Sequence, residues 1–536
     1  MGRAGRCATH DARRHNRAMH LIATATSQPL FSVAATRLIE QRAAAALPPH
    51  TLMQRAGLSV ARLALALAPH ARIIWVACGP GNNGGDGFEA ALHLHQWGKK
   101  VVVTWTGLPE GRATSPPDAE ASRMRALAAG VAVASEPPSD FDFCIDALLG
   151  TGAKLDPARP GTGRMVAWLA LMQAGPAARL AVDVPTGLVA DTGVCDALVA
   201  TDFIAARAGK SWAGRLFSLN LLTLKPGLFT AHGRDCAGEV WFDDLGVTPP
   251  ADTEPSARLL GADGFQTALR FTRPHASHKG SFGDVAVIGG ESTHASHMTG
   301  AALLAARAAL HAGAGRVFVA LLPAPGQPAP TVDLLQPELM FRSVDALDLK
   351  RQVVVCGCGG GDAVKPVLAK VLSLATRAVL DADALNAISG DTQLQTLLKA
   401  RYPRGYSTVL TPHPLEAARL LGMTAAQVQA DRLKAARQLA DLFQCVVVLK
   451  GSGTVLAAPG TTPAINPTGN ALLATAGTGD VLAGMVGAGM AGGALARGDA
   501  FEAACRAVFT HGQIADQWAV GKPGQALTAS GLAASQ

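Results

Sequence analysis

A glycine-rich segment, Gly79-Pro80-Gly81-Asn82-Asn83-Gly84-Gly85-Asp86-Gly87, is the first place where residue types and spacing point to chemistry. It satisfies the G-x-G-x-x-G pattern between a strand and a helix, where main-chain N–H groups can hold a phosphate or pyrophosphate. The next strand ends Val103-Thr104-Trp105-Thr106-Gly107, without the acid that ordinarily binds the ribose hydroxyls. The segment therefore predicts an anion-binding turn that differs from the ordinary dinucleotide site.

Two further polar segments follow apolar strands: Asp146-Ala147-Leu148-Leu149-Gly150-Thr151-Gly152 and Asp183-Val184-Pro185-Thr186-Gly187. A single aspartate at a strand end is usually a turn cap. Three such segments at one sheet edge instead favour a shared crevice, because open α/β sheets bind ligands at the carboxyl ends of their strands. Asn83, Asp146 and Thr186 would offer the hard oxygen ligands that alkali and alkaline-earth ions prefer.

A second set of candidate residues lies near the carboxyl end of the chain. The turn Ala476-Gly477-Thr478-Gly479-Asp480 precedes a helix, so its N–H groups can gather around a phosphoryl group while Asp480 accepts a hydroxyl proton. The alternative is that Asp480 only stabilises its own helix. Lys450-Gly451-Ser452-Gly453-Thr454 follows an apolar strand and suits nucleotide phosphates. His413, between Pro412 and Pro414, is open to a structural or a functional role.

The elements that must position these residues predict two α/β domains, each built on a mostly parallel sheet. We expect a basic disordered tail over residues 1–28, a first domain over 29–247, a proline-rich linker over 248–256 and a second domain over 257–536.

Within the first domain we expect strands over Arg72 to Cys78, Lys100 to Trp105, Asp140 to Asp146 and Arg179 to Asp183, with a helix over Phe88 to Trp97. In the second domain we expect strands over Asp284 to Ile288 and Arg316 to Leu321, with later strands ending at Cys356, Asp381, Thr411 and Lys450. The predicted helices of that domain run from Gly300 to His311 and from Asp480 to about Ala496.

Composition excludes several classes of function. The net charge is +7 over 536 residues, but five of the arginines lie in the first twenty residues, and basic residues are nowhere interleaved with aromatics, so we expect no nucleic-acid binding. Nine scattered cysteines without paired zinc-ligand spacing indicate a reduced, cytoplasmic protein. The longest apolar stretches are interrupted by charge or are too short, so no membrane span is expected.

The polar segments of the first domain resemble those of the NAD(P)H-hydrate epimerase family, whose pattern includes N-N-G-G-D-G, V-D-A-x-x-G-T-G and D-x-P-S-G. The similarity runs from about Pro29 to Leu245, with Thr186 in place of the family's serine and an altered stretch from Phe203 to Asn220. It implies a Rossmann-like three-layer fold and a potassium ion held by Asn83, Asp146 and Thr186. It also implies that hydrated nicotinamide is bound by Asn82, Asn83, Gly84, Gly85, Asp86, Gly150, Thr151, Gly152, Ala153, Lys154, Leu155, Asp156 and Asp183.

The second set, together with His278-Lys279-Gly280, Gly289-Gly290, Gly300-Ala301 and Asp381 to Asn386, is similar to the NAD(P)H-hydrate dehydratase family. This resemblance implies a ribokinase-like fold. It also implies nucleotide binding by Lys450, Gly451, Ser452, Gly453, Thr454 and Gly479, and binding of the hydrated cofactor by Ala301, Gly359, His413 and Asp480. Gly357-Cys358-Gly359-Gly360-Gly361 departs from the family's G-P-G-L-G, which we expect to loosen that loop and weaken substrate binding.

The two resemblances together imply repair of nicotinamide nucleotides. The first domain would interconvert the R and S forms of hydrated NADH and NADPH, with Asp183 as the proton-transfer residue. The second would dehydrate the S form at the expense of ADP, with Asp480 as base and magnesium bridging the nucleotide phosphates. We also expect a homo-oligomer. One alternative is a ribokinase-like small-molecule kinase, and another is that the first domain is a cofactor-binding module without turnover.

Overall fold

The computed structural model describes residues 19–108, 115–152, 154–199, 215–265, 275–293, 295–492 and 500–536. These residues form two compact units. The first comprises residues up to Ala23, Leu30–Leu228 and His232–Pro255, and the second comprises Thr24–Pro29, Phe229–Ala231 and Ser256–Gln536. In the described parts of the chain, no helix combines the length and apolar character that crossing a bilayer requires.

The first unit is built on an eight-stranded sheet with the order β1-β9-β8-β7-β6-β3-β4-β5. All neighbouring strands in it are parallel except β1 and β9. Its strands are β1 (His20–Leu21), β3 (Ile73–Cys78), β4 (Lys100–Trp105), β5 (Ala132–Ala134), β6 (Phe143–Ala147), β7 (Ala178–Val182), β8 (Leu216–Leu221) and β9 (Glu239–Asp243). Its helices are α1 (Val33–Ala46), α2 (Thr51–Leu67), α3 (Asn82–Gln96), α4 (Pro117–Ala128), α5 (Thr162–Ala174) and α6 (Gly233–Cys236).

This strand order positions the first candidate site. From β3 the chain continues outward to β4 and β5, whereas β6, β7 and β8 proceed in the opposite direction, so the order reverses between β3 and β6. A ligand crevice is expected at the carboxyl ends of strands at such a reversal. The core behind it is made mainly of small and branched side chains, as the low aromatic content of 5% predicts.

The second unit is built on an eleven-stranded sheet with the order β13-β12-β11-β14-β15-β16-β17-β18-β19-β10-β2. The strands are β2 (Gln28–Leu30), β10 (Ala257–Leu259), β11 (Asp284–Ser292), β12 (Arg316–Pro323), β13 (Met340–Phe341), β14 (Val353–Cys356), β15 (Arg377–Leu380), β16 (Ser407–Leu410), β17 (Val446–Leu449), β18 (Val455–Ala457) and β19 (Ala464–Ile465). The helices are α7 (Thr299–His311), α8 (Lys365–Leu374), α9 (Asp383–Ser389), α10 (Thr392–Lys399), α11 (Pro414–Leu421), α12 (Ala425–Ala430), α13 (Arg432–Phe443), α14 (Thr478–Ala491), α15 (Ala500–Gly521) and α16 (Ala529–Ala534).

The parallel part of this sheet also contains a reversal, between β11 and β14. Small residues let α14 pack closely: a Cβ on Gly484 would lie 2.0 Å from the carbonyl oxygen of Ala305 in α7. The alanine-rich faces of α7 and α14 belong to the same buried cluster as Val285 and Val355 of the sheet. Close helix packing therefore takes the place of large aromatic side chains in this core.

The structure corrects two sequence-based expectations. Residues 19–28 do not belong to a disordered tail, because His20–Leu21 pairs with β9 and Gln28 begins β2. The helix expected to start at Phe88 starts at Asn82, so the Asn-Asn-Gly-Gly-Asp run forms its first turns. A Cβ on Gly84 would lie 2.0 Å from the carbonyl oxygen of Gly79, so packing compensates for the poor helix propensity of this run.

The other expected elements are confirmed to within a few residues. The strands expected to end at Asp183, Asp381, Thr411 and Lys450 each end one residue earlier, so that these polar side chains follow the sheet edge. The helix expected from Asp480 begins at Thr478 and is described as far as Ala491. In the altered stretch from Phe203 to Asn220, residues up to 214 lie outside the described part of the chain, and the remainder enters β8.

Two candidate active sites

The first site is a cleft of about 650 Å³ in the first unit. It lies at the carboxyl ends of β3, β6 and β7 and is bordered by α1 and α2. Seven of the residues predicted to bind the hydrated nicotinamide line it: Asn82, Asn83, Asp86, Gly150, Thr151, Gly152 and Asp183. The three separated polar segments of the sequence therefore meet in one crevice, as predicted.

The remaining predicted substrate residues of this unit lie elsewhere. Gly84 and Gly85 are buried, and a Cβ on Gly85 would lie 2.6 Å from the sulfur of Met53, so close packing explains both glycines. Lys154, Leu155 and Asp156 line a separate, shallower depression that shares Gly152 with the cleft. Ala153 lies outside the described residues.

The predicted cation ligands converge on a buried carboxylate. Asp146 is fully buried, and its Oδ1 accepts a hydrogen bond of 2.7 Å from the Thr186 hydroxyl. The main-chain N–H of Thr186 donates to Oδ2 at 3.1 Å. Among the described residues no cationic side chain pairs with Asp146, and the Nδ2 atom of buried Asn83 has no hydrogen-bond partner.

This donor set fits an alkali ion. A buried carboxylate without a counter-charge is costly, and a bound cation would supply that charge. Turning the Asn83 amide over would bring its oxygen to the position of the unpartnered Nδ2 atom. The hydroxyl oxygen of Thr186 would provide a further hard ligand.

Asp183 is held in an unusual backbone conformation by a buried lysine. Its φ angle is +66°, a left-handed value that non-glycine residues rarely adopt. The Lys225 ammonium, which is 1% exposed, lies 2.6 Å from Asp183 Oδ1 and also donates to the Leu221 carbonyl oxygen at 2.7 Å. The Asn220 amide donates to the Asp183 carbonyl oxygen at 2.7 Å. These bonds stabilise the strained residue at the cleft wall.

Two other acids in the cleft have raised pKa values. Burial, together with the nearby Asp183 carboxylate, raises the pKa of Asp86 well above its ordinary value. Burial and then Asp183 also raise the pKa of Glu40, although Lys225 and Arg37 oppose the rise there. The cleft therefore combines carboxyl groups in contrasting environments, which is the arrangement that acid and base catalysis requires.

The second site lies in the second unit, where a lysine and two aspartates come together. Lys450, directly after β17, lies 2.7 Å from Asp381, which directly follows β15. The hydroxyl of Thr411 also donates to Asp381 at 2.7 Å. A Cβ on Gly479 would lie 3.4 Å from the Lys450 ammonium nitrogen, so the lysine reaches the turn that begins α14. The structure thus joins two predicted nucleotide-binding segments.

Asp480 lies in the first turn of α14 and has a perturbed carboxyl group. Burial and the neighbouring Asp381 raise its pKa to about 7, while a hydrogen bond from the Cys358 thiol opposes the rise. Burial also raises the pKa of Cys358 well above the ordinary thiol value, so this residue is not a ready nucleophile. A carboxyl with a pKa near 7 is suited to accept a hydroxyl proton at neutral pH.

Asp480, Asp381 and Cys358 form the one cluster of potential metal-binding side chains found in the described ranges, with ligand atoms within 4.8 Å of one another. Lys450 already neutralises Asp381 at 2.7 Å. A further cation there would lie next to the ammonium, so the cluster does not fit a resident metal ion.

The turn before α14 is supported by a buried histidine that the sequence analysis did not single out. The Nε2 atom of His511 lies 2.9 Å from the carbonyl oxygen of Thr478, and burial lowers the pKa of His511 to about 4. The ring is therefore neutral near pH 7 and donates its N–H to that carbonyl. The Thr478 hydroxyl donates to the carbonyl oxygens of Leu473 and Thr475, at 2.8 and 2.9 Å.

The predicted substrate residues Ala301 and Gly359 are neighbours. Gly359 has a φ angle of +56°, and a Cβ on it would lie 2.8 Å from Cβ of Ala301. The main-chain N–H of Gly290 donates to the Cys358 carbonyl at 3.0 Å, and that of Glu291 donates to Gly359 at 2.7 Å. The loop that carries Cys358 is thus tied to β11 by its main chain.

His413 has a structural role that can coexist with ligand contact. Its Nδ1 atom accepts hydrogen bonds from the N–H groups of Leu415 and Glu416, which caps α11, and its Nε2 atom lies 3.2 Å from Glu416. Burial, and then the nearby Lys450, lower the pKa of His413. Because both ring nitrogens are engaged within α11, contact with a substrate would use the ring face.

The predicted nucleotide-binding loop, Gly451 to Thr454, is held in place by a buried arginine. Arg432 is 1% exposed, and its guanidinium donates to the carbonyl oxygens of Leu449 and Lys450 at 3.1 and 3.2 Å. Thr230, from the short 229–231 segment of this unit, donates to the Gly453 carbonyl at 3.0 Å. These contacts orient the loop.

Sequence reasoning missed Lys225, His511 and Arg432. A signal existed for Lys225, because a single lysine in the apolar run Leu221 to Leu228 requires a buried counter-charge. The other two act from helices distant in sequence from the motifs that they support, and nothing in their local sequence reveals that contact.

Together these features define the class: two α/β units, each carrying acids beside main-chain turns suited to phosphates. Comparisons with known proteins agree with this class. Residues 49–211 match the family model described as YjeF-related protein N-terminus, and residues 285–533 match NAD(P)H-hydrate dehydratase.

Relatives that span both units identify the family. The chain is 35% identical over 479 residues to the bifunctional NAD(P)H-hydrate repair enzyme Nnr of Escherichia coli, covering 87% of this chain and 85% of that protein. It is 36% identical to the enzyme of the same name from Coxiella burnetii, covering 87% and 90%. The chain therefore belongs to the family of bifunctional NAD(P)H-hydrate repair enzymes, with a mostly parallel α/β sheet in each unit.

A further relative matches the second unit alone. The ADP-dependent (S)-NAD(P)H-hydrate dehydratase of Neisseria meningitidis is 44% identical over 264 residues, covering 47% of this chain and 84% of that protein.

Proposed function

We propose that the chain repairs hydrated NADH and NADPH in two steps. The first unit interconverts the R and S isomers of the hydrate, and the second dehydrates the S isomer at the expense of ADP. The observation that carries this proposal is the 35% identity to a bifunctional repair enzyme over 87% of the chain. We place the linker between the two domains at residues 248–256, with residues 24–29 and 229–231 counted as part of the second domain.

In the first unit we assign Asp183 as the residue that accepts a proton from the substrate. It lines the cleft and is held by Lys225, whose ammonium lies 2.6 Å from its Oδ1 atom. Asn82, Asn83, Asp86, Gly150, Thr151 and Gly152 would surround the hydrated ring or its phosphates.

We assign potassium to Asn83, Asp146 and Thr186 of the same unit. The support is the fully buried Asp146 carboxylate, which has no cationic side-chain partner among the described residues. The ion would supply a fixed positive charge that orients substrate oxygens. Exchange of potassium for lithium should slow the conversion of the R isomer, while consumption of the S isomer serves as the internal reference.

In the second unit ADP would lie against Lys450 to Thr454 and Gly479, with Asp480 close to the substrate hydroxyl. Phosphoryl transfer from ADP, which leaves AMP, converts that hydroxyl into a phosphate ester. Loss of phosphate together with a proton from the adjacent ring carbon then forms the C=C bond of the dihydronicotinamide ring. Phosphate leaves more readily than hydroxide, which explains the need for a nucleotide. Magnesium would enter with the nucleotide and neutralise its phosphates.

Two variants of the full chain separate the proposed activities. Asp480→Asn should still interconvert the R and S hydrates, resolved by chromatography, but should not restore reduced-nicotinamide absorbance with ADP. Asp183→Asn should restore absorbance from the S hydrate and should leave the R hydrate unchanged beyond its spontaneous rate. Loss of both activities in either variant would contradict the assignment of one reaction to each unit.

A further inference from the structure

We infer that Asp86 is the proton donor of the epimerisation, acting in the same cleft as the proton acceptor Asp183. This inference rests on the proposed epimerase function and adds a second catalytic residue to it. Resemblance to the family places Asp86 only among the residues that contact substrate.

The position of Asp86 supports this role. It lies in the first turns of α3, is half-buried, and lines the cleft together with Asp183. Over the described ranges its carboxyl group makes neither a hydrogen bond nor an ion pair. Its neighbours differ in this respect, since Glu89 pairs with Arg125 at 2.6 Å and Asp118 pairs with His50 at 2.6 Å. Asp86 is thus free to exchange a proton with a ligand.

The surroundings of Asp86 favour its protonated form. Burial removes water from the carboxyl group, and its charged neighbours are acids, so its pKa lies well above the ordinary value. Every charged neighbour named for Asp86 raises its pKa, whereas Lys225 and Arg37 oppose the rise at Glu40. The titratable groups that face Asp86 from the surrounding elements are Glu40 of α1, Cys78 of β3, Glu89 of α3, Asp118 of α4 and Asp183 after β7.

Asp183 differs from Asp86 because its carboxyl group has several hydrogen-bond donors, one of them a cation. The Lys225 ammonium, the Asn220 amide and the Leu221 N–H all donate to its Oδ1 atom, at 2.6, 3.1 and 3.3 Å. In the described part of the chain, Oδ2 has no such partner and remains available to a ligand. One cleft therefore holds a carboxyl group paired with a buried ammonium and a second carboxyl group whose pKa is raised by burial, and this contrast assigns the base and the acid.

These two groups can complete inversion without a redox step. The hydrated carbon carries a hydroxyl group and is bonded to the ring nitrogen. Asp183 takes the hydroxyl proton, the O–H electron pair forms a C=O bond, and the C–N bond breaks as its electron pair takes the proton of Asp86. After rotation about the adjacent C–C bond, the nitrogen attacks the other face of the carbonyl. The N–H proton then returns to Asp86, and Asp183 returns its proton to the oxygen.

The test compares Asp86→Asn with the parent full chain, using the separated R hydrate of NADH, potassium and ADP. A carboxamide of the same shape cannot donate this proton, so R-hydrate conversion above the spontaneous rate should fall about 10²–10⁴-fold. Asp140→Asn, an exposed aspartate outside the cleft, is the matched control and should behave as the parent. Near-ultraviolet circular dichroism would verify the fold of the first unit, and dehydration of the S hydrate would report the second.

A second variant keeps the inference testable if Asp86→Asn is unstable. The epimerase activity of the parent chain should fall as the pH rises and Asp86 loses its proton. Asp86→Glu should show the same decrease in activity, but centred at a different pH. The inference would be overturned if folded Asp86→Asn converted the R hydrate at the normal rate. It would also be overturned if the decrease in activity at high pH disappeared in Glu40→Gln but not in the Asp86 variants. A parent chain that consumes the S hydrate but never the R hydrate would instead overturn the proposed epimerase function.

Discussion

The ammonium group of Lys450 lies 2.7 Å from Oδ1 of Asp381, and both residues directly follow strands of the same sheet, β17 and β15. The carboxylate is 2% exposed, so the lysine serves two purposes at the second site. It neutralises a buried charge, and it presents an ammonium beside Gly479, where the phosphates of ADP are expected.

Removal of this lysine should therefore impair both stability and nucleotide binding. Lys450→Met leaves the Asp381 carboxylate buried without its cationic partner, although the Thr411 hydroxyl still donates to it, and should lower the free energy of unfolding by about 3–5 kcal/mol. The KM for ADP should rise at least about tenfold, as expected for loss of a contact worth about 1.4 kcal/mol or more. Lys370→Met breaks the exposed pair with Asp345 and should leave the free energy of unfolding nearly unchanged. If urea unfolding showed the same loss of unfolding free energy in Lys450→Met and Lys370→Met, this account would be contradicted.

The pKa of Asp480 predicts how dehydration depends on pH. Its carboxyl group must be ionised to accept a proton, and its pKa is raised to about 7. The rate of S-hydrate dehydration at saturating ADP should therefore rise between pH 6 and 8 and then level off, as about a unit on each side of the pKa covers most of the titration. Asp480→Asn should lower the rate about 10²–10⁴-fold and abolish this rise. A flat profile in the parent would argue against Asp480 as the base.

The lowered pKa of His511 predicts that the protein loses stability in acid. Its pKa in the folded protein is lowered to about 4, so between the unfolded and folded values the unfolded chain binds the extra proton. The stabilisation is complete above about pH 6.5 and is lost as the pH falls toward 4, by about 3 kcal/mol over the full range. Urea unfolding of His511→Gln should show a smaller acid loss than the parent. Identical losses in the two proteins would disprove this role.

At Gly453 the predicted nucleotide-binding loop passes so close to a neighbouring main-chain segment that no side chain fits. Its φ angle is +60°, and a Cβ would lie 1.9 Å from the carbonyl oxygen of Phe229. Gly453→Ala should raise the KM for ADP by displacing the loop. Gly460→Ala is the matched control, because its φ angle of +68° brings the same strain of about 1–2 kcal/mol but its Cβ would meet nothing within 4 Å. Similar effects of the two substitutions on ADP binding would refute the packing argument.

The parts of the fold that the sequence predicted are those in which local pattern and tertiary structure agree. Apolar runs such as 100–105 and 353–356 became strands because they can only be buried in a sheet. The start of α3 at Asn82 was missed because Asn and Gly favour turns locally, and only packing against Gly79 makes them helical. Tertiary contacts outweighed propensity at that point.

The residues of the candidate sites also fall into those that the local sequence pattern could predict and those that depend on tertiary contacts. Asn83, Asp146, Thr186 and Asp183 could be predicted because each lies at or after the carboxyl end of a strand, in a polar segment at one sheet edge. The raised pKa of Asp86 depends on burial and on acids from α1, α4 and the β7 end, and His511 reaches its site from α15. Such contacts arise from the three-dimensional arrangement and leave no motif in the sequence.

The most direct measurement follows the pure R isomer of hydrated NADH, incubated with the full chain and analysed for both isomers and for reduced nicotinamide. With ADP, the account predicts complete recovery of reduced-nicotinamide absorbance faster than spontaneous interconversion allows. Without ADP, it predicts an equilibrium mixture of the two isomers and no recovery. If the R isomer persisted in both reactions while the S isomer was dehydrated with ADP, the proposed two-step repair would be contradicted.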